Sequence, residues 1–217
     1  MLRLSGVSVS LGAVGILRNV SLEVAAGQFA GLIGRNGAGK TTLMRTIMGI
    51  LPHREGALEF DGSALAQLPT HRRVGLGIGY MPEDRRLIPG LSVEENVLLP
   101  AWAAAMPDAA ARLVRAYQAI PEVEALRARK ALQLSGGQQK LVALARAMIA
   151  GTRLLLLDEP FEGVAPVLAR RLAEVIAGLK RGGLTVILSE SSLTHVRELL
   201  DTVFEVDRGA VARNSRP

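Results

Sequence analysis

The stretch Gln28–Thr42, "QFAGLIGRNGAGKTT", passes from an apolar β-like segment through a glycine-rich turn into a helix that begins near Lys40. A strand, a glycine loop and a helix in that order form the context that a phosphate-binding loop requires. Glycines at 34, 37 and 39 let the backbone wrap closely enough for its N–H groups to converge on phosphate oxygens, and the helix N-terminus adds a favourable field. Gly34, Arg35, Asn36, Gly37, Ala38 and Gly39 would form this cradle for the phosphates of a nucleotide. Lys40 would reach the β and γ phosphates, Thr41 would offer a hydroxyl to Mg²⁺, and Thr42 would support the α-phosphate. The competing explanation is a glycine-rich turn that precedes Lys-Thr by chance; the flanking strand and helix argue against it.

Outward from this loop, strand-like and helical runs continue to alternate. "RLLLLD" (153–158) precedes a helix over about 166–180, and "LTVIL" (184–188) precedes another expected helix. That alternation predicts an α/β fold, a mostly parallel sheet with helices on both faces. "LRLSGVSVS" (2–10), "LRNVSLEV" (17–24) and "ALEFDG" (57–62) read as shorter alternating strands of an antiparallel sheet on one flank. Between Leu91 and Leu134 the composition turns to alanine, leucine and arginine with no strand pattern. The expectation is one domain over 1–217, with a helical subdomain over about 88–150 inserted into a nucleotide-binding core.

A second motif, "RLLLLDEP" (153–160), ends an apolar strand in two adjacent carboxylates. Neighbouring residues at a strand end point in different directions, so the two acids can have separate duties. Asp158 would hold the Mg²⁺ shell and Glu159 would orient or deprotonate an attacking water. Such a pair alone is more often an ordinary strand end; behind a phosphate loop it becomes the expected metal and base pair.

Composition sets the outer limits. A chain of 217 residues, 49% hydrophobic and 21% charged, can bury a sizeable core. It has no cysteine, which removes disulfide and thiolate chemistry. The net charge of +6 comes as scattered doublets, and aromatic residues make up 3% of the chain. With no concentrated basic stripe and few rings for bases to stack on, nucleic acid is not an expected partner. The N-terminus lacks the pattern of a secretory signal, and no uncharged apolar run approaches the ~18 residues of a membrane span. If the protein meets a membrane, another chain brings it there.

The third motif is "LSGGQQ" (134–139), followed by the helical run "KLVALARAMIA". It resembles the signature of the ATP-binding cassette family, and the resemblance extends over essentially the whole chain. It implies a P-loop nucleoside triphosphatase fold with a RecA-like core, a flanking antiparallel β subdomain and a helical signature subdomain. It also implies that two such domains pack head to tail, as a homodimer or a heterodimer. Ser135, Gly136, Gly137 and Gln138 of one would then close over the ATP held by the other. A serine-glycine turn capping a helix is the alternative.

Further roles follow from that resemblance. "IGYMPEDRR" (78–86) looks like the loop joining core and insertion, with Glu83 where many members carry glutamine; Glu83 would offer an oxygen to a metal-bound water, or be a solvated loop acid. "PFEGVAP" (160–166) looks like the loop through which paired domains sense each other, with Glu162 in place of the commoner aspartate. The aromatic residue that stacks on adenine is replaced by Leu11, which otherwise packs in the core. Neither Tyr80 nor Trp102 is placed at the base by its position. The histidine that contacts the γ-phosphate is replaced by Ser191, which would reach phosphate only through water. His195 reads as an exposed helix residue, and His53 and His71 as loop residues.

The sequence most resembles the smaller ATPase subunit of branched-chain amino-acid-type importers. That implies ATP and Mg²⁺ as cofactors, transmembrane permease subunits, a separate solute-binding protein, and a position on the cytoplasmic face of the inner or plasma membrane. Two alternatives stay open: a nucleotide-gated switch with weak hydrolysis, and a soluble ATPase of the same superfamily outside transport.

Overall fold

The computed structural model describes residues 1–214. Its first two strands, β1 (Leu2–Leu11) and β2 (Val14–Val24), alternate buried and exposed residues over much of their length, as strands with one wet face do. They pair antiparallel, and β1 pairs on its other edge with β4 (Glu55–Phe60), which in turn carries the short β5 (Ser63–Ala64). This is the flanking antiparallel sheet that the sequence predicts.

The second sheet holds six strands. In chain order they are β3 (Phe29–Ile33), β6 (Ile78–Met81), β7 (Leu154–Asp158), β8 (Thr185–Glu190), β9 (Thr202–Asp207) and β10 (Ala210–Asn214). The spatial order is β10-β9-β3-β8-β7-β6, with every pairing parallel except β9 with β10. β7 and β8 are buried along their whole length, which explains why both read as continuous apolar runs. Their alternate side chains serve two cores. Leu154 and Leu156 pack toward the antiparallel sheet and α1 (Lys40–Ile47), whereas Leu155 and Leu157 pack toward the helical insertion.

The insertion contains α3 (Val93–Ala103), α4 (Ala109–Ala119), α5 (Pro121–Ala125) and the N-terminal part of α6 (Gly136–Ala150). Ser92 and Glu95 form a reciprocal cap that starts α3. Between β5 and β6 lies α2 (Thr70–Gly75), whose buried Arg73 donates to the carbonyls of Thr46 and Ile47 at 2.8 and 2.7 Å. Arg73 thereby joins the Gly49 N–H on the Thr46 carbonyl and takes up the Ile47 carbonyl at the end of α1. His71 therefore lies on a helix, not in a loop, whereas His53 lies outside regular structure.

α7 (Pro166–Arg181) precedes β8 as expected. The α-helix expected after "LTVIL" does not form. Residues 191–196 are bends and turns, and only Arg197–Leu199 makes a 3₁₀ turn before β9. Ser192 and Thr194 share a side-chain hydrogen bond of 2.9 Å, the kind of local bonding that competes with a helix.

The sheet order has one consequence for function. β3, β8 and β7 are neighbours, so the chain leaves them at Gly34, Glu190 and Asp158 on one edge of the sheet. In open α/β sheets that carboxyl edge is where ligands bind.

Candidate functional site

The loop after β3 is shaped by two glycines that admit no side chain. A Cβ on Gly34 would lie 2.1 Å from the carbonyl oxygen of Val206. Gly39 has φ 114°, and a Cβ there would meet Leu17 at 2.9 Å. The loop curls around Lys40, which is 3% exposed and donates to the carbonyls of Gly34 (2.6 Å) and Arg35 (3.2 Å). Its ammonium also lies 3.0 Å from Oε1 of Glu159. Asn36, Gly37, Gly39, Lys40, Thr41, Thr42 and Glu159 line a cavity of about 350 Å³, together with Ile16 and Glu83. Arg35 is exposed, and Ala38 is buried with its N–H on the carbonyl of Arg35.

Asp158 is fully buried at the end of β7. Its Oδ1 accepts from Ser189 (2.7 Å) and Thr41 (3.1 Å), and its Oδ2 accepts from the hydroxyl of Tyr80 (3.0 Å). Burial pushes the Asp158 carboxyl above the ordinary range, and the bonds from Ser189, Tyr80 and Thr41 oppose that shift. In turn, burial and the adjacent carboxylate push the Tyr80 phenol well upward, so it stays a donor.

Glu159 adopts φ 47°, a left-handed backbone rare outside glycine. Its N–H is held by Ser189, through the hydroxyl at 3.1 Å and the carbonyl at 3.2 Å. The carboxyl is 5% exposed; burial and Glu162 raise its proton affinity while Lys40 lowers it. One carboxylate therefore faces the hydroxyls of Thr41, Ser189 and Tyr80, and its neighbour faces Lys40 and the cavity.

The signature forms a second surface. Ser135 caps α6, its hydroxyl accepting from the N–H of Gln138 at 3.3 Å while Gln138 Oε1 accepts from the Ser135 N–H at 2.9 Å. The helix-cap and ligand-binding readings of that serine are thus compatible. Gly136 and Gly137 lie beside Arg85 and Leu168, where a Cβ would come within 3.1 and 2.9 Å. Ser135, Gly136, Gly137 and Gln138 line a cavity of about 760 Å³ together with Glu162 and Glu83. Glu83 alone among the site residues lines both cavities, and the signature does not line the cavity of its own phosphate loop.

Other residues fall elsewhere. Leu11 is 48% exposed at the end of β1, so it is not a core residue. Ile16, which the sequence reading passed over, faces the phosphate cavity instead. Ser191 is exposed beyond β8, and its hydroxyl has no hydrogen-bond partner among the described residues. Ser189, two residues earlier, is the serine that touches both acids. His195 lies in a turn rather than a helix, exposed, with its ring 5.7 Å from that of Phe161. Trp102 is 53% exposed on the insertion.

The donor set suits Mg²⁺. A hydroxyl and a carboxylate oxygen converge at Thr41 and Asp158, and Glu83 lines the same cavity. Mg²⁺ is commonly held by one or two protein carboxylates and completed by phosphate and water, so a sparse oxygen set fits. Thr41 and Asp158, with Glu83, would hold it.

Comparison with known proteins agrees with this geometry. The ABC transporter family model matches residues 17–162. The chain is 33% identical to the high-affinity branched-chain amino acid transport ATP-binding protein BraG of Pseudomonas aeruginosa, over 97% of this chain and 91% of that one. It is 31% identical to the probable branched-chain amino acid transport ATP-binding protein LivF of Archaeoglobus fulgidus, covering 99% and 91%. It is also 33% identical to the lipopolysaccharide export system ATP-binding protein LptB of Escherichia coli, covering 93% and 85%. Among solved structures, a dimeric post-hydrolysis state of the ATP-binding cassette MJ0796 with ADP and Pi superposes over 100% of both chains, with a TM-score of 0.88 at 25% identity. The chain therefore belongs to the ABC transporter family, as an ATP-binding subunit that hydrolyses ATP.

Proposed function

We propose that this chain powers uptake of branched-chain or other hydrophobic amino acids, or of a related small solute, through separate membrane subunits. The carrying observation is the match to BraG over nearly the full length of both chains. LivF supports the same solute class, whereas the similarity to LptB would accord with export. Among the described residues no helix is long and apolar enough to cross a membrane, so permease subunits would supply the path. A separate solute-binding protein would deliver the cargo, and the chain would sit on the cytoplasmic face of the membrane.

In this reading the backbone of Gly34–Gly39, with Lys40 and Thr42, binds the phosphates. Thr41 and Asp158 hold Mg²⁺, with Glu83 facing the same shell. The ion, when bound, neutralises charge on the β and γ oxygens. Glu159 takes the proton of the attacking water, and its raised proton affinity suits a base. Leu11 lies near adenine, and Ser191 lies beyond the catalytic contacts. Ser135, Gly136, Gly137 and Gln138 act on nucleotide held by a second cassette; the dimeric state of MJ0796 with ADP and Pi supports the pairing of two cassettes. Closure and reopening of that pair would drive the permease between its two states.

Deleting the chain in its source cells and measuring uptake of radiolabelled leucine and valine tests the proposal. Loss of ATP-dependent uptake, restored by the parent chain and not by a Lys40→Ala variant, is the expected result. Unchanged uptake of both, with a defect in export of an envelope lipid, would refute it.

A further inference from the structure

Lys140 is 5% exposed, and no part of the scheme above uses it. It lies on the first turns of α6, five residues after Ser135. Its ammonium donates to three backbone carbonyls, those of Glu159 (3.0 Å), Pro160 (3.1 Å) and Glu162 (2.6 Å). An ammonium has three protons, so every donor is used and every bond ends on one turn of chain. Burying such a charge is costly unless its bonds are complete. Burial lowers the proton affinity of Lys140, and the carboxylates of Glu190, Glu162 and Glu83 counter part of that shift.

The same turn is gripped from the opposite side by β8. The N–H of Glu159 donates to Ser189, and the N–H of Phe161 donates to Glu190 Oε1 at 3.0 Å. Glu159 is thus held through both of its backbone polar groups: its N–H by Ser189 of β8 and its C=O by Lys140. This matters because Glu159 holds φ 47°, which costs free energy unless its surroundings enforce it. An extended backbone there would turn the carboxylate away from Lys40 and the cavity.

We propose that Lys140 is a positioning residue for Glu159, fixing the left-handed turn that aims the carboxylate and tying that turn to the helix that bears the signature. A shift of α6, such as engagement of its N-terminus with a second nucleotide would cause, is transmitted through the ammonium to the backbone of Glu159. The inference rests on the assignment of Glu159 as the base, and the experiment separates the two.

The test compares ATP turnover by the purified full-length chain and its Lys140→Met, Glu159→Gln and doubly substituted forms, with fluorescent-nucleotide binding and thermal melting as controls. Lys140→Met is expected to lower kcat at least tenfold and leave KM for Mg-ATP within about twofold. In the Glu159→Gln background the same change is expected to lower the residual rate by less than twofold, because the group it positions is already gone. A folded Lys140→Met variant with kcat within twofold of the parent overturns the inference, as does an equal loss in both backgrounds. Should Lys140→Met not fold, Lys140→Gln is judged by the same two comparisons. If Glu159→Gln itself leaves turnover intact, the assignment of the base fails, and the inference with it.

Discussion

Lys40 and Glu159 are in contact, with the ammonium 3.0 Å from a carboxylate oxygen and both side chains almost wholly buried. The lysine that would bind the γ-phosphate is therefore partnered by the acid that would activate water. Phosphate oxygens must compete with Glu159 for the same ammonium. Glu159→Gln removes that competitor and also a negative charge facing the triphosphate. ATP is expected to bind this variant about three- to tenfold more tightly, as read by calorimetry or a fluorescent analogue. Weaker binding would mean that the pair does not oppose nucleotide.

The two serines at the end of β8 should behave differently. The Ser189 hydroxyl donates to Asp158 and accepts from the N–H of Glu159, and Ser189 is fully buried. A hydrogen bond to a charged group contributes about 1.5–3 kcal/mol, so Ser189→Ala should reduce kcat about tenfold or more. Exposed Ser191 has no such partners, and Ser191→Ala should remain within about threefold of the parent. Steady-state kinetics on both variants checks the contrast; a collapse in Ser191→Ala alone would reverse it.

Tyr80 would support the proposed Mg²⁺ site through Asp158, 3.0 Å from its hydroxyl. Partners behind a ligand commonly change metal affinity about tenfold or more when removed. Tyr80→Phe should raise the Mg²⁺ concentration for half-maximal turnover by about that factor and destabilise the fold by about 1–2 kcal/mol. A Mg²⁺ titration and a denaturation curve measure the two effects. If neither changes, the hydroxyl has no role at the site.

Glu190 predicts a pH dependence of stability. Burial is the main cause that pushes its carboxyl from 4.5 up to about 7, with nearby Glu159 and Glu162 adding to it and the Phe161 N–H and Lys140 opposing. Between those values the folded protein holds a proton that the unfolded chain has released. Stability from this group is thus fully present below about pH 4.5 and is lost as pH rises toward 7. Glu190→Gln keeps an acceptor for Phe161 without the titration. Denaturation at several pH values should show the variant gaining on the parent by about 1–3 kcal/mol from pH 5 to 8. A constant difference would contradict this.

The phosphate loop, the acid pair and the signature are legible in the sequence because each is contiguous: spacing alone places the glycines, Lys40, Asp158, Glu159 and Ser135. The alternation around them likewise gives the parallel sheet, its antiparallel flank and the insertion. What could not be read depends on which strands become neighbours. Ser189 faces Asp158 only because β8 pairs with β7 in that register, and Tyr80 reaches Asp158 from β6 on the other side of β7. Lys140 reads as one more polar residue at the start of a helix until the turn at 159–162 folds back onto it. Leu11, aligned with the adenine-stacking position or else expected in the core, falls exposed at the strand's end next to the hairpin turn. The strand–helix alternation predicts a helix after β8, but the local bond between Ser192 and Thr194 depends on side chains that the alternation does not weigh.

The central claim is that this chain's own site hydrolyses ATP to drive transport. The most direct measurement is release of labelled γ-phosphate by the chain assembled with its membrane subunits, with Glu159 intact and with Glu159→Gln. The account predicts a loss of at least about a hundredfold in turnover with ATP still bound, a range that removal of a positioned base commonly produces. Turnover that fell by less than about half would contradict it, and would make the chain a nucleotide-gated switch beside a partner that does the hydrolysis.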